Sequence, residues 1–260
     1  MLIYIFFIFF TSYPKMNDCI SVLDGEFQLL RVTPAIYNEA EELLVNLSVN
    51  EEFLCLTANI KDSEEATQEL RTLIRHILSC GISFAIRQVA SGRIVTAMAT
   101  IIFNYKKESS YFHIMAKFKS PSMVRYRRLM DAIENSFDMY KEWKVNNIME
   151  VEYLATKPEF RGRGLSSILT QYVISFGKLM SQGKLPPEVF DQLSKEMQVD
   201  RPGAICTIVT SPTYVRYAQK IGLQVAYKWR ISELRSWGGS TAAHSDDEAF
   251  EYAELHMIKY

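Results

Sequence analysis

Residues 159–168 read Glu-Phe-Arg-Gly-Arg-Gly-Leu-Ser-Ser-Ile. Arg161 and Arg163 alternate with Gly162 and Gly164. An apolar helical pattern begins at once, with Leu165, Ile168, Leu169, Tyr172, Val173, Phe176 and Met180 on one face. The residues just before, 148–155 (IMEVEYLA), read as a strand. Strand, glycine turn and helix in that order leave unpaired backbone N–H groups at the turn, with the positive end of the helix dipole beside them. Glycine lets an anion approach the backbone without a Cβ in the way. The two arginines could add charge-assisted hydrogen bonds. A solvated basic turn with no ligand is the alternative. The turn is not a Walker A loop, because no Gly-Lys-Ser/Thr follows. Nor is it GxGxxG, because Ser167 stands at the last position.

Working outward, residues 27–33 (FQLLRVT) read as a strand, and Pro34 opens a helical pattern through Ala40, Leu43, Leu44 and Leu47. Asp62 and Glu65 have capping-box spacing before a helix with Ala66, Leu70, Leu73, Ile74 and Ile77 inward, ended by Gly81. Residues 83–89 and 94–104 read as a hairpin about Ser91-Gly92. Met123, Tyr126, Met130, Ile133, Phe137 and Tyr140 predict one inserted helix over 121–143, with that stripe serving core packing. Residues 184–202, with Pro186, Pro187 and Pro202, read as a polar surface excursion. Beyond it come a buried strand at 204–209, a helix at 211–221 closed by Gly222, and a strand at 223–231. A polar loop at 236–248 and an alternating last strand at 253–260 complete the chain.

Alternating strands and helices predict an α/β or mixed-sheet domain, and 260 residues suffice for one large core. A formal net charge of -1 argues against nucleic acid as a partner. Cys19, Cys55, Cys80 and Cys206 lack zinc or disulfide spacing and fit reduced thiols of a cytoplasmic protein. The four histidines lack metal-ligand spacing, so no metal is expected. Residues 2–10 (LIYIFFIFF) are apolar but far shorter than the roughly 20 residues of a membrane span. They also lack the flanks of a secretory signal. Residues 1–15 are therefore expected to be either a weak anchor or an upstream extension, and 16–260 a single, monomeric domain with no membrane span.

Arg161-x-x-Gly164-x-Ser166 resembles the Gln/Arg-x-x-Gly-x-Gly/Ala motif of the GCN5-related N-acetyltransferases (GNAT), with serine in the last place. A second motif of that superfamily is matched by strand 204–209, the following helix, and Gly222-Leu223 where Gly-Phe is usual. The element order from Phe27 to Tyr260 is similar too. The resemblance implies a mixed, mostly antiparallel central sheet (an α/β, or α+β, class) with a splayed pair of strands and flanking helices. It implies acetyl-CoA as co-substrate. Leu154, Ala155 and Thr156 would run beside the pantetheine arm. Arg161, Gly162, Arg163, Gly164, Leu165, Ser166 and Ser167 would hold the pyrophosphate.

The inserted helix ending in Met139–Val145, and residues 50–54 (NEEFL), resemble the insect-type arylalkylamine (dopamine) N-acetyltransferases. That branch implies a small primary amine as acceptor and Glu52 as general base, with Phe53 in place of the branch's proline. Glu152 on the central strand is a rival base. The branch's two serines near the start of the late helix correspond to Thr210 and Tyr214. A superfamily tyrosine is replaced by Ala218. Tyr217 reads as packing, and Phe53, Tyr105, Phe112 and Trp143 are candidate walls for an aromatic acceptor. Other readings are a different acceptor such as a polyamine or amino acid, a longer acyl donor, a catalytically degenerate acyl-CoA-binding module, and a protein acetyltransferase.

Overall fold

The computed structural model describes residues 19–107, 109–238 and 251–260. The chain starts with a short hairpin, β1 (Ile20–Val22) and β2 (Phe27–Arg31). A 3-10 turn at Pro34–Ile36 leads into α1 (Tyr37–Glu51), and Glu52 separates α1 from the short α2 (Phe53–Thr57). Helix α3 (Glu64–Ser79) is capped by Ser63, which accepts the Ala66 N–H at 3.1 Å. The expected Asp62–Glu65 box is thus one residue out, because Asp62 closes the preceding 3-10 turn. Gly81 ends the helix at φ +84°, as the pattern predicted.

Strands β3 (Phe84–Gln88) and β4 (Ile94–Asn104) form the expected hairpin. Every β4 residue from Ile94 to Phe103 is buried, as in a strand covered on both faces. The predicted single inserted helix is two. Helix α4 (Ser110–Met115) precedes it, and it breaks between α5 (Pro121–Ser136) and α6 (Met139–Trp143), where extended Phe137 is followed by the capping Asp138. Strand β5 (Asn147–Thr156) runs into the quoted turn, and α7 (Leu165–Ser181) follows. The polar excursion contains two short helices, α8 (Pro187–Phe190) and α9 (Lys195–Val199). Then come β6 (Ala204–Val209), α10 (Pro212–Lys220), β7 (Gln224–Arg230), α11 (Ile231–Gly238) and β8 (Tyr252–Lys259). Neither β1 nor α11 has a counterpart in the sequence reading. Most of the expected 236–248 loop, and the 1–15 extension, lie outside the described residues.

One eight-stranded sheet has the order β1-β2-β3-β4-β5-β6-β8-β7. All pairs are antiparallel except β5 with β6. That parallel pair holds only at Ile148↔Ala204, Met149↔Ile205 and Glu150↔Cys206. Beyond it β5 stays with β4 as far as Thr156, while β6 stays with β8 as far as Val209. The sheet therefore splits into a V at its centre. A bulge against β4 lies at the split, because Ala99 pairs with Tyr153 and Thr100 with Val151, leaving Glu152 unpaired between them. Helices α1 and α3 pack on β4, and α7 packs on β3, β4, β5 and β6. This is the mixed, mostly antiparallel sheet with a splayed pair that the resemblance implied. Among the described residues no helix is long and apolar enough to cross a membrane.

Candidate active site

The V opens into a cleft of about 720 Å³, within the usual range for a small-molecule site. Glu52, Thr210 and Tyr214, three positions far apart in sequence, line it together. So do Leu154, Ala155, Thr156, Arg161, Gly162, Gly164, Leu165, Ser166 and Ser167. Arg163 is the exception. It lies outside the lining, with its Nη2 2.5 Å from Glu26 Oε2 and its guanidinium over the Phe27 ring.

At one end of the cleft is the start of α7. Gly162 and Gly164 have φ of +75° and +78°, the left-handed region where L side chains are strained. Gly164 occupies the N-cap position, so no side chain satisfies the first N–H groups of α7. The start of α10, whose N-cap is Ser211, also lacks a side-chain cap. Helices α2 to α6 and α9 are all capped by side chains. Two bare helix starts thus border the cleft. Arg161 Nε donates to the Thr156 carbonyl at 3.0 Å, and its Nη2 lies 2.6 Å from Glu51 Oε2. This pair ties the turn to the end of α1.

Hydroxyl groups brace the same region. Thr170 Oγ1 donates to the Ser166 carbonyl at 2.8 Å and shares a 3.0 Å hydrogen bond with Tyr214 Oη. Burial pushes the Tyr214 hydroxyl up to about 12, so it carries its proton at neutral pH. Tyr217, read as packing, does line the cleft and donates to the Ser167 carbonyl at 2.6 Å.

The floor toward the split is acidic. Glu52 caps α2, accepting the N–H of Leu54 at 2.9 Å and of Cys55 at 2.8 Å. Phe53, in place of the branch's proline, is the first helical residue behind that cap. Burial raises the Glu52 carboxyl above its ordinary value, against the lowering effect of the two N–H groups. Glu152 lines the cleft and accepts from the Tyr111 hydroxyl at 3.3 Å, with no ion-pair partner among the described residues. Burial, reinforced by Glu134, pushes it up to about 8. Glu150 is only 8% exposed and is raised by burial and by Glu152 and Glu134. The Tyr126 and Tyr153 hydroxyls share a 3.0 Å hydrogen bond between these groups.

The expected aromatic walls Phe53, Tyr105, Phe112 and Trp143 do not line the cleft. Tyr105 stacks with Tyr140, and Phe112 with Phe103 and Tyr111. Tyr126, Tyr153, Phe160, Tyr214 and Tyr217 are the aromatic lining instead. Glu150 and Tyr153 escaped sequence reading, although two glutamates two residues apart in a buried central strand are themselves a signal. Cys55, Cys80 and Cys206 are buried free thiols, and Cys19 is exposed.

No family model matches the chain, and no curated protein matches it in sequence. Solved structures do match. Arylalkylamine N-acetyltransferase 7 from the mosquito Aedes aegypti is 11% identical, over 90% of this chain and 87% of that one, with a TM-score of 0.69. A mosquito arylalkylamine N-acetyltransferase like 5b gives 14%, 90% and 100%, with 0.68. The Drosophila melanogaster polyamine N-acetyltransferase, which forms N-acetylagmatine, gives 17%, 90% and 100%, with 0.64. The fold is that of the GNAT acetyltransferases. The two stretches that carried the resemblance in sequence, the β5–α7 turn and β6–α10, follow the two limbs of the V.

Proposed function

We propose that the chain is an acetyl-CoA-dependent N-acetyltransferase acting on a small primary amine. One observation carries this reading. A single cleft joins a glycine-turned, uncapped helix start to a buried acidic floor through the unpaired edge of a splayed strand. The three structures compared above, named for arylalkylamine and polyamine N-acetylation, support the same class.

The uncapped N–H groups of α7, with Gly162, Gly164 and Arg161, suit the pyrophosphate of coenzyme A. The β5 edge from Glu152 to Ala155 has no strand partner on the β6 side, between a Val151 carbonyl taken by Thr207 Oγ1 and a Thr156 carbonyl taken by Arg161, so its backbone is available to the pantetheine amides and to the thioester carbonyl.

An alkylamine arrives protonated, with a pKa near that of lysine, about 10. Glu52, fixed by two backbone N–H groups, is placed to take that proton directly or through a water. The freed nitrogen attacks the thioester carbon. The tetrahedral intermediate collapses and the C–S bond breaks. Tyr214, protonated, supplies the proton or hydrogen bond that the leaving thiolate needs, with Thr210 beside it at the end of β6. No covalent enzyme intermediate is required, because alignment of the two substrates removes much of the entropic barrier. The arylalkylamine reading of the acceptor rests on the branch resemblance, with Tyr126, Tyr153 and Phe160 as the aromatic surfaces available to it.

The test is thiol release by the full chain with acetyl-CoA and a panel of arylalkylamines, diamines and simple monoamines. Turnover is the expected result. Saturable coenzyme A binding with no turnover on any amine would leave an acyl-CoA-binding module in its place.

A further inference from the structure

The acid groups at the floor exceed what proton abstraction needs. Glu52 alone is held in a cap. Glu150 is more than nine-tenths buried and lines the cleft, yet its carboxyl has no hydrogen-bond or ion-pair partner among the described residues. The charged groups acting on it are Glu152 and Glu134, both acidic. Isolated buried carboxyls are costly and are ordinarily paired or hydrogen-bonded.

Glu150 also faces a second space. A void of about 20 Å³ is lined by Met130, Ile133, Glu134, Phe137, Trp229 and Glu150 among others, and Met130, Glu150 and Ile208 line both it and the cleft. That volume admits one water-sized group, since about 10–15 Å³ suffices for a water. An ammonium group has that size. Apolar walls that include Phe137 and Trp229 flank the two carboxyls, as a methylene chain would want. A divalent metal is the wrong occupant, because among the described residues no three acidic, histidine or cysteine side chains converge closely enough to hold one.

We infer that the acceptor is a diamine, whose distal ammonium is held by Glu134 and Glu150 in this void while its other nitrogen reacts in the cleft. The inference rests on the amine-acetyltransferase reading and replaces a neutral aryl end of the acceptor with a cationic one. Glu134, on the more open side, completes the charge balance with Glu150. Burial raises Glu150 and pushes Glu152 up to about 8, while Glu134, exposed on α5, is pushed to about 7 by local desolvation and by Asp131.

The experiment compares kcat/KM of the full chain for putrescine and cadaverine with that for butylamine and pentylamine, which match them in length but lack the second charge. The diamines are expected to be preferred by about tenfold or more, the scale of one charge-assisted contact. Glu150→Gln and Glu134→Gln are expected to collapse that ratio toward one, chiefly through KM for the diamine. If Glu150→Gln fails to fold, Glu134→Gln at the open side carries the same ratio. Turnover of monoamines and diamines with equal kcat/KM, or a preference that survives both variants, overturns the diamine inference and leaves the acetyltransferase reading standing. Absence of turnover with every amine is instead the failure of that reading.

Discussion

The two ends of the cleft are built in opposite ways. The α7 end is made of backbone: N–H groups with no cap, two glycines at positive φ, and one arginine. It suits an anion, and its parts are consecutive in sequence. The β5 end is made of side chains: Glu52 from the α1–α2 junction, Glu134 from α5, and Glu150 and Glu152 from the central strand. It suits a cation, and its parts are scattered over 100 residues. A general donor grips backbone that every chain has, while a particular acceptor must be met by side chains.

The strongest way to test this division is at the acidic end. Glu52→Gln removes the proposed base and one of the two cap acceptors, since an amide NH2 cannot accept the second N–H. It is expected to lower kcat by about a thousandfold, within the usual range for a lost general base, while coenzyme A affinity by calorimetry stays within twofold. If activity survives and Glu152→Gln loses it, the base is Glu152. The pH profile separates the two, since a rate governed by Glu152 climbs with pH through about 8.

The matching experiment at the basic end is Gly164→Val. A β-branched residue is strained at φ +78°, at a cost of about 1–2 kcal/mol, and its Cβ stands where the backbone meets phosphate. Coenzyme A affinity is expected to fall about a hundredfold. Unchanged affinity would show that this turn is not the phosphate site.

A smaller effect sharpens the contrast through stability. A carboxyl with a raised pKa holds its proton more tightly in the folded chain than in the unfolded one. Its contribution is therefore full below the ordinary carboxylate range and is lost as pH rises through the folded value. For Glu152, raised from 4.5 to about 8, the loss runs from about pH 5 to about pH 8.5. The Tm of the free protein is expected to fall over that interval, by about 2–4 °C per kcal/mol lost. The Glu150→Gln, Glu152→Gln double variant is expected to flatten the slope. A Tm that rises from pH 7 to 8.5 in the parent protein would contradict the buried acidic floor.

The same contrast explains what could be read from the chain alone. The α7 turn was legible because strand, glycines and amphipathic helix announce themselves within twenty residues. The sheet followed from alternation and turn signals, and Gly81 and Gly222 stood at helix ends as expected. The break at Phe137 was not legible, because the apolar stripe continues across it in helical register. The added α4 and α11 were missed for the opposite reason, being short segments with too few turns to set a period. At the acidic end Glu52 was reached only through resemblance, and Glu134 not at all. Nothing local distinguishes a glutamate on a helix surface from one turned toward a void. The aromatic walls failed for the same reason: Tyr105 and Phe112 are spent on ring contacts that only the tertiary fold creates.

The Arg161–Glu51 ion pair has a consequence for how the two substrates meet. It joins the phosphate turn to the residue next to Glu52. Under the proposed reading, a pyrophosphate at this turn would compete with the Glu51 carboxylate for that guanidinium and, on winning it, would release the end of α1. Donor loading and the setting of Glu52 would then share one cation. The affinity measured for coenzyme A would be the difference between two anions, one of which is tethered to the chain.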